Sequence, residues 1–402
     1  MRRLGWITFI MKNTWIAGLF LATLLLGGET RAQPAAEDPL FSPANPPGMK
    51  PISDHATPAY RAVKQFERGV NLGNYLEVPP GGGWAGVTVS ASEFAAMRRE
   101  GFDHVRVPIG WQHYVGPAPD FLVETGIFQR VDFAVTNALT NHLAVLINIH
   151  GFDAMDEDPA GATEEYLKIW EQIAGHYQKY PKQLAFELDN APHKNAPTAL
   201  MNPIYRCVIC LIRGSNPDRT IFVEPGDWGG ISELKNLELP SDDNVIVSVH
   251  CYEPFHFTHQ GAGWAGPSVK QTGIVFPGPP AKPLVPDPGL DLPSSALAWI
   301  AKYNTLPTAE NPSSALAFTG RLKYVRAWSD YYGRPVHLGE FGAFTTADQT
   351  SRANFYAAFR KTCEAQGIGW CIWDWSAGFR YWDKTLDKPL PGMHEALFGQ
   401  DF

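Results

Sequence analysis

The sequence predicts a single eight-stranded (β/α) barrel of the α/β class, a TIM barrel. Three observations carry the prediction. From residue 66 onward, short β-branched apolar runs alternate with stretches whose apolar residues repeat at helical spacing. There are eight such runs, and strands alternating with helices imply a parallel sheet, which at eight units closes on itself. The chain has 402 residues, room enough for the roughly 250 or more that such a barrel uses as one unit.

The first run is Gly69 to Leu72 and the second His104 to Val107. Leu143 to Ile149, Leu184 to Leu188, Thr220 to Val223, Val245 to Val249, Pro335 to Leu338 and Gly369 to Ile372 follow. Between them lie amphipathic helices. Ser90 and Glu93 have the spacing of a capping box ahead of Phe94 and Met97. Val131, Val135, Ala138 and Leu139 share one helical face, as do Tyr166, Ile169, Trp170, Ile173 and Tyr177. A further helix runs from Ala353 to Gln366, where Gly367 stops it. One connection breaks the rhythm. Cys251 to Asn311 is long and rich in Pro and Gly, and after a sixth strand it is expected to overhang the mouth of the barrel.

Ahead of the barrel the chain reads as a signal peptide over residues 1–32 and a Pro/Ala-rich leader over 33–65, with the barrel over 66–402. Arg2, Arg3 and Lys12 make a basic start, Trp15 to Leu26 an apolar run too short for a membrane span, and Thr30-Arg31-Ala32 a cleavage end. The expected location is therefore secreted or periplasmic, with no membrane attachment once the signal is cleaved. The formal net charge of −8, with no basic block, argues against a nucleic-acid partner. Cys207-Val-Ile-Cys210 has no second CxxC or paired His to complete a zinc site, so its cysteines read as small buried apolar residues. A Cys363–Cys371 disulfide stays open. The histidines fall on different strand ends without ligand spacing, so no metal or cofactor is expected, and the chain is expected to act as a monomer.

Barrel enzymes carry their chemistry at the C-terminal ends of the strands. Those ends supply Arg106, His150, Asn190, His250, Tyr252, Glu340 and Trp373. Any one of them has a plain reading as a satisfied polar group or, for Trp373, as barrel-end packing. Together they are a biased set, because strand ends drawn at random would be apolar or turn residues. The segments around them are His104-Val-Arg-Val-Pro108, Ile149-His-Gly151, Phe186-Glu-Leu-Asp-Asn-Ala-Pro-His193, Val249-His-Cys-Tyr-Glu-Pro-Phe255 with Thr258-His-Gln-Gly-Ala262, Val336-His-Leu-Gly-Glu-Phe-Gly342 and Cys371-Ile-Trp-Asp374. In this order they resemble glycoside hydrolase family 5, the cellulase and mannanase family. The resemblance runs from residue 68 to about 400.

The resemblance implies a retaining mechanism. One carboxylate attacks the anomeric carbon; a second, about 5–5.5 Å away, protonates the leaving oxygen and then activates water. It puts the nucleophile at Glu340, held ionised by Arg106, because a nearby cation lowers a carboxylate pKa. Tyr252 and His250 would orient the nucleophile and line the −1 sugar subsite, and His150 would bind a sugar hydroxyl. Asn190 would bond the 2-hydroxyl, and Trp373 would form the floor under the −1 sugar. The implied substrate is a β-linked polysaccharide or oligosaccharide, a β-1,4-glucan first, with mannan, xyloglucan and mixed-linkage glucan as rivals. Trp84, Trp111, Trp228, Trp264 and Trp382 are the aromatic candidates for stacking on sugar or for packing.

One position departs from the family. Where its Asn is followed by the acid/base Glu and then Pro, this chain has Asn190-Ala191-Pro192. Alanine moves no proton, and general acid–base help is worth about 10²–10⁴-fold. Hydrolysis is therefore expected to be strongly impaired. Asp189 should project differently from Asn190 by strand alternation, and Glu187 lies deeper, on the parity of 189 and 191, as a bonded barrel-interior group. Glu253 and Asp374 lie near the mouth by sequence. Ala191 is open to three readings: an acid removed to trap substrate, a binding-only relative, or an enzyme with displaced chemistry.

Overall fold

The computed structural model describes residues 56–82 and 86–399. Eight parallel strands close into one barrel in sequence order: β1 (Arg68–Asn71), β2 (His104–Val107), β3 (Ala144–His150), β4 (Leu184–Asn190), β5 (Ile221–Val223), β6 (Val245–His250), β7 (Val336–Phe341) and β8 (Gly369–Ile372). Closure is made by β8 pairing β1, with Trp370 opposite Arg68. The expected barrel is present, and each strand begins within one residue of its apolar run. The largest difference is at β7, which runs three residues past Leu338. Glu340 thus sits within the ladder, opposite His250.

Three register shifts fall at the C-terminal rim, between Asn148 and His150, between Val249 and His250, and between Leu338 and Phe341. A bulge re-aims the side chains that follow it. At the first shift His150 pairs with Asn190, whereas Asn148 pairs with Glu187. Strict alternation would turn residues 187 and 190 to opposite faces, yet both reach the barrel interior. The uniform alternation assumed from sequence breaks here.

The barrel floor is closed by Phe66, Ala144, Leu146, Ala185, Phe222 and Ile246, with Ala59 from the helix Pro58–Ala62. Gly69 is required in this layer, since a Cβ there would stand 2.0 Å from the His104 ring. With the floor sealed, the rim of β-strand C-terminal ends is the accessible side of the barrel.

The outer helices follow their sequence patterns. Helix Ala91–Glu100 carries the Ser90/Glu93 capping box and ends at left-handed Gly101. Helix Gln349–Ala365 stops just before Gly367, at φ 64°. Helix Thr198–Ser215 corrects one expectation. Its inner face is Met201, Tyr205, Val208 and Ile212; Cys207 and Cys210 lie on the other face and are exposed. CxxC spacing puts two cysteines on one helical face, and here that face looks outward. Cys363 and Cys371 are buried free thiols, so the disulfide left open is not formed.

The long connection after β6 is built rather than slack. Gln260 bonds the backbone N–H and C=O of Ile274, and helix Ser294–Thr305 lies within it. The N–H of Phe344, in the loop leaving β7, bonds the Thr258 carbonyl at 2.8 Å, which sets the connection beside Glu340 as expected. Among the described residues no helix is long and apolar enough to cross a membrane. The signal, most of the leader and Trp84 lie outside the described residues.

Candidate active site

The site is organised by Arg106, fully buried at the end of β2. Its Nε donates to Glu187 Oε2 at 2.6 Å. Nη1 donates to Asn71 Oδ1 at 2.9 Å and Glu340 Oε1 at 2.8 Å. Nη2 donates to Asn190 Oδ1 at 2.6 Å and Glu224 Oε1 at 3.3 Å. One guanidinium thus ties together the ends of β1, β2, β4, β5 and β7. A planar fork with five donors suits this task, where a lysine point charge would not.

Around Glu340, Tyr252 Oη donates to Oε2 at 2.8 Å, and His250 Nδ1 lies 3.7 Å from the same oxygen. Burial and the adjacent Glu340 push the Tyr252 phenol well above its usual range, so it stays a donor. His150 is held well below its usual range by burial and by Arg106, so its ring is neutral. That ring stacks on Trp373 with centroids 5.6 Å apart and planes 16° from parallel. Gly73 admits Trp373, since a Cβ at Gly73 would meet the indole at 2.9 Å. Asn190 spends its Oδ1 on Arg106, which turns its amide nitrogen toward other acceptors.

All the expected residues therefore converge on one rim: Arg106, His150, Asn190, His250, Tyr252, Glu340 and Trp373. Besides Asn71 of β1, the sequence reading missed Glu224, which follows β5 and is wholly buried. Its Oε1 lies 2.9 Å from His250 Nε2, and its Oε2 accepts the Ala191 N–H at 2.7 Å. The signal was available: Val223-Glu224-Pro225 puts an acidic residue at the end of a strand from which, as from β1, no residue was taken.

The electrostatics separate the two extra carboxyls. Burial drives the Glu187 carboxyl up, against Arg106 and with the help of the nearby Glu224 charge. Burial also opposes ionisation of Glu224, but His250 and Arg106 outweigh it and hold Glu224 below the usual carboxylate range. Burial lowers His250, and Glu224 and Glu340 more than reverse it, so the imidazole tends to its charged form. The Arg106 guanidinium and the raised His250 imidazole thus face Glu224 and Glu340, and Glu187 is the carboxyl of the cluster that burial drives toward its neutral form. A buried cluster with two uncompensated anions would be costly.

Ala191 itself is left-handed, at φ 51°. Two residues on, His193 Nδ1 lies 3.1 Å from the Ala191 carbonyl oxygen and 3.2 Å from Asp156 Oδ2. Burial lowers this imidazole, but Asp156 outweighs the burial and raises it. Its ring stacks on Trp228, which is 54% exposed. Of the other carboxyls near the mouth, Asp374 is buried and caps the Ala377 and Phe379 N–H groups, while Glu253 accepts the Phe255 N–H and lies 3.8 Å from Arg321. Asp189 is buried, and its Oδ1 accepts the Asn190 N–H.

The tryptophans divide. Trp228 and Trp264 are exposed. Trp111 and Trp382 are buried, Trp111 donating to the Asn148 carbonyl and Trp382 stacking on Trp375, so both pack the fold and neither faces a substrate. Among the described residues no group of three or more His, Cys, Asp or Glu is placed to hold a metal ion.

A family model, cellulase (glycosyl hydrolase family 5), matches residues 63–378. The chain belongs to glycosyl hydrolase family 5. It is 27% identical over 333 residues to Endoglucanase H of Acetivibrio thermocellus, covering 82% of this chain and 31% of that protein. It is 27% identical over 357 residues to Endoglucanase 3 of Fibrobacter succinogenes, covering 84% of this chain and 53% of that one. The chain thus spans about a third to a half of the length of these relatives. Among solved structures, Cel5A of Thermotoga maritima in complex with cellobiose superposes with a TM-score of 0.72 at 32% identity, over 85% of this chain and all of that one. The same family 5 protein with mannotriose gives the same figures.

Proposed function

We propose that the barrel is a retaining glycoside hydrolase that cleaves internal β-1,4 bonds of glucan, with Glu340 as nucleophile. The observation that carries this reading is the double hold on Glu340: Arg106 on one oxygen at 2.8 Å and Tyr252 on the other at 2.8 Å. Both donors fix the carboxylate on the rim of the barrel, where a sugar can be presented to it. The endoglucanase relatives supply the substrate class.

In the first step a Glu340 oxygen attacks the anomeric carbon and the glycosidic C–O bond breaks. Asn190 offers its amide nitrogen to the 2-hydroxyl, a bond that strengthens at the transition state. His150, neutral, serves a sugar hydroxyl, and Trp373 supplies an apolar face under the ring. In the second step water displaces Glu340 and the starting configuration is restored. Ala191 contributes no proton to either step. Cleavage of an unactivated sugar leaving group therefore depends on an acid placed elsewhere, and is slow without one. The basic start, short apolar run and small cleavage end of the N-terminus support export.

The test is the stereochemistry of the product. Hydrolysis of β-cellopentaose followed by NMR is expected to release the β-anomer first. Initial α-anomer would remove Glu340 as a nucleophile, and no turnover with retained oligosaccharide binding would make the barrel a binding protein. Mannan is a second reading, favoured because the Thermotoga maritima relative was solved with mannotriose. Parallel digestion of mannopentaose separates the two.

A further inference from the structure

Building on the retaining reading above, we propose that Glu224, backed by Glu187, is the general acid/base of this barrel, supplying from β5 the proton that position 191 cannot supply from β4.

Three geometric observations carry the assignment. Glu224 and Glu340 are bridged twice, by the two ends of the Arg106 guanidinium (3.3 and 2.8 Å) and by the two nitrogens of His250 (2.9 and 3.7 Å). Carboxylates that share both a guanidinium and an imidazole are near neighbours, as the retaining mechanism requires at about 5–5.5 Å. Second, the Glu224 carboxylate adjoins the backbone of Ala191, whose N–H it accepts at 2.7 Å. Third, Glu187 uses Oε2 for Arg106 and Asn148, while its Oε1 is buried and no donor among the described residues reaches it. The neighbour of that carboxyl is Glu224, and two buried carboxyls in contact hold one proton between them.

The groups facing Glu224 agree with a shared proton. Arg106 is cationic, Glu224 and Glu340 raise His250 against its burial, His150 is neutral, and Asp189, like Glu187, is raised first by its burial. The pair is thus an acid whose last proton leaves later than an ordinary carboxyl's, as a general acid needs. Glu224 has no exposed surface. Gly229, at φ 68°, roofs it so closely that a Cβ there would stand 3.0 Å from Oε2. The preceding Asp227 and Trp228 are also left-handed, at 54° and 58°. Delivery runs through one water lodged where alanine is smaller than glutamate.

The steps balance. As Glu340 bonds the anomeric carbon, the leaving oxygen takes a proton from that water, and the water takes one from Glu224 as Glu224 takes the pair's proton from Glu187; the pair is left as two carboxylates facing Arg106 and His250. In the second step Glu224, through the same position, accepts a proton from the attacking water as the bond from the anomeric carbon to Glu340 breaks. The net change is one water added across one glycosidic bond.

The experiment is kcat/KM, which reports the first step, on aryl β-cellobiosides of graded leaving-group acidity. Glu224→Gln is expected to fall by about 10²–10⁴-fold on the poorest leaving group and about tenfold or less on dinitrophenyl, so the dependence on leaving group steepens. In an Ala191→Glu background the same change should cost less than about tenfold on all of them. Equal losses across the series, or equal losses in both backgrounds, would overturn the proposal and leave Glu224 as a support for Arg106 and His250. So would steepening by His193→Asn in place of Glu224→Gln. If β-mannobiosides are cleaved and β-cellobiosides are not, the glucan reading falls, and the series is run on aryl mannobiosides with the same criteria.

Discussion

Glu224 Oε2 accepts the backbone N–H of Ala191 at 2.7 Å, so the strand end that lacks an acid is tied to a carboxylate from its neighbour. This bond explains how the rim keeps its shape around an alanine. Residue 191 holds a left-handed backbone at φ 51°, a conformation costly for any residue with a Cβ, and the Glu224 bond helps to fix it.

Restoring a carboxyl at this position tests how complete the rest of the site is. Ala191→Glu is expected to raise kcat on unactivated cello-oligosaccharides by about 10–10³-fold, short of the full general-acid range where Glu224 supplies a proton as proposed. A reducing-sugar assay reads it. A fall in rate, with binding intact, would mean that the strand end cannot present a side chain to the glycosidic oxygen.

Tyr252 donates to Glu340 Oε2 at 2.8 Å, the oxygen that Arg106 does not hold. A hydrogen bond to a charged acceptor is worth about 1.5–3 kcal/mol. Tyr252→Phe is therefore expected to lower kcat/KM by roughly 10–150-fold with little change in melting temperature. An unchanged kcat/KM would show that Arg106 alone orients Glu340.

Arg106 and Glu187 should differ sharply in what they contribute to stability. Arg106→Met removes a buried cation from three carboxyls and is expected to destabilise the fold by about 3–5 kcal/mol. Glu187→Gln replaces a carboxyl that burial already drives toward its neutral form, keeps an acceptor for Arg106 and should cost about 1 kcal/mol or less. Urea midpoints at pH 6 read both. Comparable losses would mean that Glu187 is ionised in the folded protein.

The barrel was legible because its evidence is periodic. Eight β-branched runs and the helical faces between them survive local irregularity, and seven rim residues followed from the strand ends. The misses are non-periodic. Nothing in local sequence marks the register shift near His150, which brings Glu187 and Asn190 to the same guanidinium. Glu224 went unnoticed because its meaning depends on Ala191, 33 residues earlier, and the two meet only when β4 and β5 pair. Cys207 and Cys210 were misplaced by treating residue type as a guide to burial. Their helix has two faces, and Met201, Tyr205, Val208 and Ile212 already fill the inner one.

Two buried carboxyls outside the Arg106 cluster give the fold a pH dependence of definite sign. Glu77, in the loop after β1, is raised by burial from 4.5 to about 7 against its N–H bonds from Asn74 and Tyr75, and with a contribution from nearby Asp374. Asp374 is raised by burial from 3.8 to about 6. A carboxyl whose folded pKa lies above its unfolded value stabilises the fold at low pH, and that stability is lost as pH rises through the folded pKa. The protein is therefore expected to lose stability between about pH 4.5 and 7, with Glu77 contributing up to about 3 kcal/mol of the fall. Glu77→Gln keeps an oxygen for the two N–H donors and cannot ionise. Its urea midpoint should fall less than the parent's between pH 5 and 7, while the two proteins converge near pH 4. Parallel curves for parent and variant across that window would show that the Glu77 carboxyl ionises in the folded protein as readily as in the unfolded chain.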